Sequence, residues 1–127
     1  MLHAETGNPV GVTGFCMGGA LALFAACQNS NKVGACVDFY GIHPNVEYDW
    51  DSLTAPVLGL WAEHDDMVNP QLTGFAEALA SRQHNFHFKT YPGTAHAFFN
   101  DTNTEGHDVE ASADAWELTL EWFARYL

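Results

Sequence analysis

The stretch GVTGFCMGGALA, Gly11 to Ala22, decides how the rest of the chain is read. The β-branched pair Val12 and Thr13 runs into a glycine, an aromatic, a lone cysteine, a methionine and two more glycines. A strand that turns sharply into a helix needs small residues on both sides of the turn. A β-carbon there would collide with the strand or the helix, and the residue at the apex is lifted clear of the sheet. Gly14 lies two before Cys16 and Gly18 two after it, the spacing of a strand–turn–helix that displays a nucleophile. The stretch points to an exposed, reactive thiol. The competing reading is a core cysteine, since free cysteine is among the most buried residue types.

Working outward, apolar runs alternate with helical patterns. PVGVTGF (Pro9–Phe15) reads as a buried strand leading into a helix from about Gly18 to Gln28. NSNK makes a turn, and VGACVDFY (Val33–Tyr40) reads as a second buried strand ending at Gly41. A polar loop carrying His43, Pro44 and Trp50 leads to a third strand, APVLGLWA (Ala55–Ala62). Asn69 is placed to cap a helix with Pro70 at its first position. In that helix Leu72, Phe75, Ala76, Leu79 and Ala80 share one face. FHFKTY (Phe86–Tyr91) alternates as a half-exposed edge strand does. From about Asp108 onward, Val109, Ala113, Trp116, Leu120, Phe123 and Leu127 form an apolar stripe on a last helix, with Asp108 and Glu110 in its first turn. Strand–helix alternation of this kind implies an α/β fold of one domain, residues 1–127, with about four mostly parallel strands and helices on both faces.

Composition narrows the functional classes. Sixteen acidic residues against four basic ones (Lys32, Arg82, Lys89, Arg125) give a formal charge of −12, which disfavours nucleic acid and anionic membranes as partners. No apolar run reaches the length of a membrane span, and MLHAETGNPV lacks the pattern of a signal peptide. Three cysteines without paired spacing suit a reducing, cytoplasmic compartment, and Cys27 and Cys36 read as core residues. His84 and His87 lack ligand partners at metal spacing, so neither a metal nor a cofactor is expected.

In parallel sheets, catalytic groups gather beyond the carboxyl ends of the strands. Cys16 follows the first strand there, Asp65 and Asp66 follow the third in LWAEHDDMVNP, and His96 follows the fourth in YPGTAHAFFN. A thiol needs a base to become thiolate, and the base needs an acid to fix its tautomer. The order nucleophile, acid, histidine is that of the α/β-hydrolases. Phe39, Tyr40 and Phe98, which flank strand ends or the histidine, are candidate substrate-lining residues.

With GFCMGG around Cys16, AEHDDMV around Asp65 and YPGTAHAFFN around His96, the chain resembles the dienelactone hydrolases from about Gly11 to its end. The resemblance implies an α/β-hydrolase fold with Cys16 as nucleophile, Asp65 (rather than Asp66) as acid and His96 as base. It also implies that the backbone N–H of Met17 serves as one oxyanion donor. Two departures accompany it. Asn100 stands where the family has a substrate-holding arginine, and the strands that precede the elbow in the family do not precede it here. The expected architecture is thus a partial α/β-hydrolase fold lacking the N-terminal strands. The expected function is hydrolysis of a small ester or lactone through a thioester. An inactive remnant that binds a partner or pairs with itself is the alternative, and a thiol-redox role lacks a C-x-x-C to support it. With the sheet ending at Pro9–Phe15, an uncharged apolar edge is left open, which predicts a homo-oligomer, most simply a two-fold dimer.

Overall fold

The computed structural model describes residues 7–102 and 106–127. Four strands form one parallel sheet in the order β1 (Val10–Phe15), β2 (Val33–Phe39), β3 (Val57–His64) and β4 (Phe86–Ala95). Helices α1 (Met17–Gln28) and α2 (Leu72–Ala80) pack on one face, and α3 (Val109–Tyr126) covers the other. The parallel sheet and the helices on both faces match the architecture expected from the sequence. β2 is buried almost throughout, as a strand covered on both faces must be.

Register places the strand ends together. Phe15 stands opposite Phe39, and Phe39 opposite Leu60, so the loops after β1, β2 and β3 leave from one rim of the sheet. β4 runs past the expected Tyr91 to Ala95, because Pro92 and Gly93 (φ 73°) form an irregularity that the ladder with β3 accommodates. The Gly93 N–H donates to the Glu63 carboxylate, 2.7 Å away, across that irregularity.

Two local expectations are corrected. Asn69 does not cap a helix. It begins a short 3-10 turn (Asn69–Gln71) that precedes α2, and its side-chain amide instead donates to the carbonyls of Ala62 (2.8 Å) and Glu63 (3.0 Å). Its side-chain oxygen, the atom a cap would use, is buried without a partner among the described residues. On α3, Val109, Ala113, Trp116, Leu120 and Leu127 are exposed, and the helix is seated instead on Ala111, Ala115 and Thr119, flanked by Leu118, Trp122 and Phe123. Large residues dominate a periodicity reading, whereas small ones permit the closest approach to a sheet. Of the expected stripe, Phe123 does pack inward, and with Leu127 it fills the space that a side chain at Gly11 would need. Asp108 caps α3, its carboxylate accepting from the Ala111 N–H at 2.9 Å.

Asp38, at the end of β2, is fully buried. One carboxyl oxygen accepts from the Gly41 N–H at 3.0 Å, and the other has no partner among the described residues. Burial holds this carboxyl well above the usual carboxylate range. An acid with a raised folded value is at its most stable below its unfolded pKa of about 4, and stability falls as pH rises toward the folded value. Asp38→Asn, neutral at every pH, is therefore expected to melt higher than wild type at neutral pH. The gap should close toward pH 4; a gap that ignores pH would refute the assignment.

Candidate active site

Cys16 sits at the apex between β1 and α1 with φ 57° and ψ −124°, a backbone conformation that costs a non-glycine residue about 1–3 kcal/mol. Neighbours hold it there. The Cys16 N–H donates to the Phe39 carbonyl at 3.0 Å, and the Cys16 carbonyl accepts from the N–H groups of Gly19 (3.0 Å) and Ala20 (3.2 Å). Gly41 presses against the same carbonyl so closely that a β-carbon there would lie 2.1 Å from it. The thiol is exposed.

Across the strand ends, His96 Nε2 lies 3.0 Å from Cys16 Sγ, and His96 Nδ1 lies 2.5 Å from Asp65 Oδ2. The Asp65 side chain is 1% exposed and that of His96 23%. Asp65 Oδ1 accepts from the N–H groups of Met67 and Val68, both at 3.2 Å, so the carboxylate is gripped by the turn that it begins. A carboxylate held in this way is an acceptor. Its contact therefore places the imidazole proton on Nδ1 and leaves Nε2 to accept from the thiol. Asp66, the other acidic candidate, is exposed.

The loop carrying His96 is fastened from two sides. The Phe98 carbonyl accepts from the Asp108 N–H (3.0 Å) and the Ser112 hydroxyl (3.1 Å), tying the loop to the start of α3. The Tyr40 ring meets the imidazole edge-on with centroids 5.0 Å apart. Burial pushes the Tyr40 phenol up to about 12, with a backbone hydrogen bond at Phe99 partly offsetting it, so Tyr40 is a neutral wall residue.

Two clefts meet at Cys16. One, of about 410 Å³, extends from Cys16, Met17 and Tyr40 past Ile42 and His43 to Gln71. The other, of about 470 Å³, lies against Phe15, Phe99 and Asn100. Of the expected lining residues, Tyr40 borders both clefts. Phe39 and Phe98 are fully buried in the core on the α3 side and line neither. Sequence reasoning missed Ile42, His43 and Gln71. The first two follow β2 at the strand end, where a lining residue is expected, but Gln71 carries no local signal. Asn100 turns its side-chain oxygen to the Thr102 N–H (3.0 Å) and hydroxyl (2.6 Å). Met17 is the first residue of α1, where backbone N–H groups have no intrahelical acceptor.

The remaining candidates fall elsewhere. His84 Nε2 contacts the Ala55 carbonyl at 2.7 Å, and among the described residues no three His, Cys, Asp or Glu side chains gather as a metal would need. No described helix is long and apolar enough to cross a membrane. Cys27 and Cys36 are buried; burial lifts the Cys27 thiol to about 11 and holds that of Cys36 well above its usual value. Brief iodoacetamide treatment with peptide mapping is therefore expected to label Cys16 at least tenfold faster than either. Equal labelling of all three thiols would contradict the displayed elbow.

Comparison with known proteins points in one direction. The family model for the dienelactone hydrolase family matches residues 2–127. A protein designated usf from Aquifex pyrophilus is 34% identical over 119 residues, covering 93% of this chain and 52% of that protein. A carboxymethylenebutenolidase from Rhodococcus opacus is 30% identical over 127 residues, covering 92% and 50% respectively. The chain thus spans about half the length of the curated relatives it matches. Among solved structures, a dienelactone hydrolase from Anabaena variabilis superimposes with a TM-score of 0.68 at 26% identity, covering 93% of this chain and 50% of that one. A dienelactone hydrolase-like promiscuous phosphotriesterase from metagenomic libraries shares the fold, with a TM-score of 0.84 at 21% identity over 94% of this chain and 53% of that one.

Proposed function

The chain belongs to the dienelactone hydrolase family, and from that premise we propose that it cleaves a small ester or lactone by two-step acyl transfer on Cys16. In the first step Sγ attacks the carbonyl carbon as the thiol proton passes to His96 Nε2. The tetrahedral intermediate collapses, the carbon–oxygen bond to the leaving group breaks, and His96 returns the proton to the departing oxygen. In the second step water attacks the thioester, His96 takes its proton, and the acid departs as the proton returns to sulfur. Asp65 holds the tautomer and steadies the imidazolium, and the Met17 N–H faces the developing oxyanion. The observation that carries this reading is the unbroken run of contacts from Sγ through both imidazole nitrogens to a buried carboxylate.

Hydrolysis of para-nitrophenyl acetate by wild type, Cys16→Ala and His96→Ala tests it, with mass spectrometry of the quenched wild-type reaction. Turnover confined to wild type and an acetyl adduct on the Cys16 peptide are expected. Equal rates in all three chains would overturn the reading in favour of a non-catalytic binding module.

Supporting features complete the proposal. The acidic balance and unpaired thiols fit a cytoplasmic setting without nucleic-acid partners. Among the described residues β1 is an edge strand, and Phe15 at its end and Met17, Leu21 and Phe24 beside it are exposed. This surface supports self-association, most simply as a two-fold dimer. Light scattering across micromolar concentrations tests that point, and a monomer throughout would exclude it.

A further inference from the structure

The cleft from Cys16 to Gln71 is walled by apolar side chains apart from the reacting pair, Tyr40 and two further polar residues, His43 and Gln71. Hydrogen bonds elsewhere fix what each presents. The Asn45 N–H donates to His43 Nδ1 at 3.0 Å, so the neutral ring carries its proton on Nε2. That N–H has no acceptor among the described residues. The Gln71 side chain meets two carbonyls, those of Ile42 (3.1 Å) and Met67 (3.0 Å). Both of these neighbours are acceptors, so the amide nitrogen must face them. Its oxygen is left without a donor among the described residues. Gln71 donates to the carbonyl of Ile42, the residue before His43, and both residues line this cleft.

One wall of the cleft thus offers one unused donor and one unused acceptor, neither charged, while no lysine or arginine lines it. From these two residues we infer that the cleft selects substrates carrying a neutral hydroxyl, which accepts from His43 Nε2–H, with Gln71 Oε1 an acceptor on the same cleft lining. A hydroxyl can accept from His43 and still has a proton to donate. A carboxylate cannot donate, and it would face an acidic chain without a cation in the cleft. A plain alkyl chain would cover both groups and leave them unpaired. This inference rests on reading the site as an ester hydrolase and names the substrate class for it.

The test uses para-nitrophenyl butanoate, its α- and β-hydroxy counterparts, and the para-nitrophenyl hemisuccinate. In wild type the best hydroxy ester is expected to exceed the butanoate in kcat/KM by about tenfold, with no gain for the hemisuccinate. In His43→Phe, which keeps an aromatic ring and loses the donor, the hydroxy-to-plain ratio should fall to about one. In His43→Gln, which restores a donor, part of the ratio should return; melting curves verify that both variants fold. A binding arm uses the Cys16→Ala chain and ligand-observed NMR with the same esters, where the hydroxy ester should bind about tenfold tighter. Preference in binding without turnover in wild type would defeat the hydrolase reading and leave this inference standing. Turnover without hydroxyl preference, a preference for the hemisuccinate, a ratio unmoved in His43→Phe, or no binding by any ester would overturn it.

Discussion

Asp65→Asn is expected to lower kcat for ester cleavage by about 10³–10⁴ while leaving the fold intact. The reason lies in how the two carboxylate oxygens are used. Oδ1 accepts from the Met67 and Val68 N–H groups, and Oδ2 faces His96 Nδ1. An asparagine must keep its oxygen at the two N–H groups, because turning its amide nitrogen there would set donors against donors. The NH₂ group then faces His96 Nδ1, which must become an acceptor. The imidazole proton moves to Nε2, the atom that has to receive the thiol proton. In Ser-His-Asp enzymes the same forced tautomer costs about 10⁴ in kcat. Steady-state kinetics with melting curves would check it; a fall of less than tenfold at unchanged stability would remove Asp65 from the mechanism.

Gly14→Ala and Gly18→Ala are expected to act in opposite directions, although the two glycines look equivalent in the sequence. A β-carbon at Gly14 would lie 2.1 Å from the Gly18 carbonyl oxygen, 2.3 Å from its carbon and 2.8 Å from the Gly19 nitrogen. All three are backbone atoms of the elbow and cannot swing aside. The elbow must open, at a cost of about 3 kcal/mol or more. At Gly18 nothing lies within 4 Å of the added carbon, and the position is the second residue of α1. Alanine there gains up to about 1 kcal/mol from helix propensity. Thermal unfolding should separate the two variants clearly, and shifts of the same sign would refute the steric account.

That pair also marks where sequence reasoning succeeded and where it stopped. The turn at Cys16, the three strand-end positions and the parallel alternation were legible, because a turn glycine, hydrophobic period and strand-end loops leave local signatures. The glycine that α1 needs was misassigned by one position. Gly19, not Gly18, lies against Asp38, where a β-carbon would come within 2.2 Å of the carboxyl oxygen. That contact comes from β2 and leaves no trace in the spacing around Cys16. The α3 stripe was misread because the face is set by small residues fitting the sheet. Gln71 was invisible for a related reason. Its amide is oriented by carbonyls of Ile42 and Met67, and the first of these is 29 residues away.

The strand order β1-β2-β3-β4 repeats the order in which the strands occur along the chain. Among the described strands, β2, β3 and β4 each pair with the strand before them in the chain, so none of these pairings waits on a later strand. The clasp on the His96 loop is different. Among the described residues the Phe98 carbonyl finds its donors at Asp108 and Ser112, and α3 covers the face behind it. The Cys16 turn is held by Phe39, Gly19 and Ala20, whereas the His96 loop depends on the start of α3. Loosening α3 is therefore expected to free the histidine while leaving the cysteine in place.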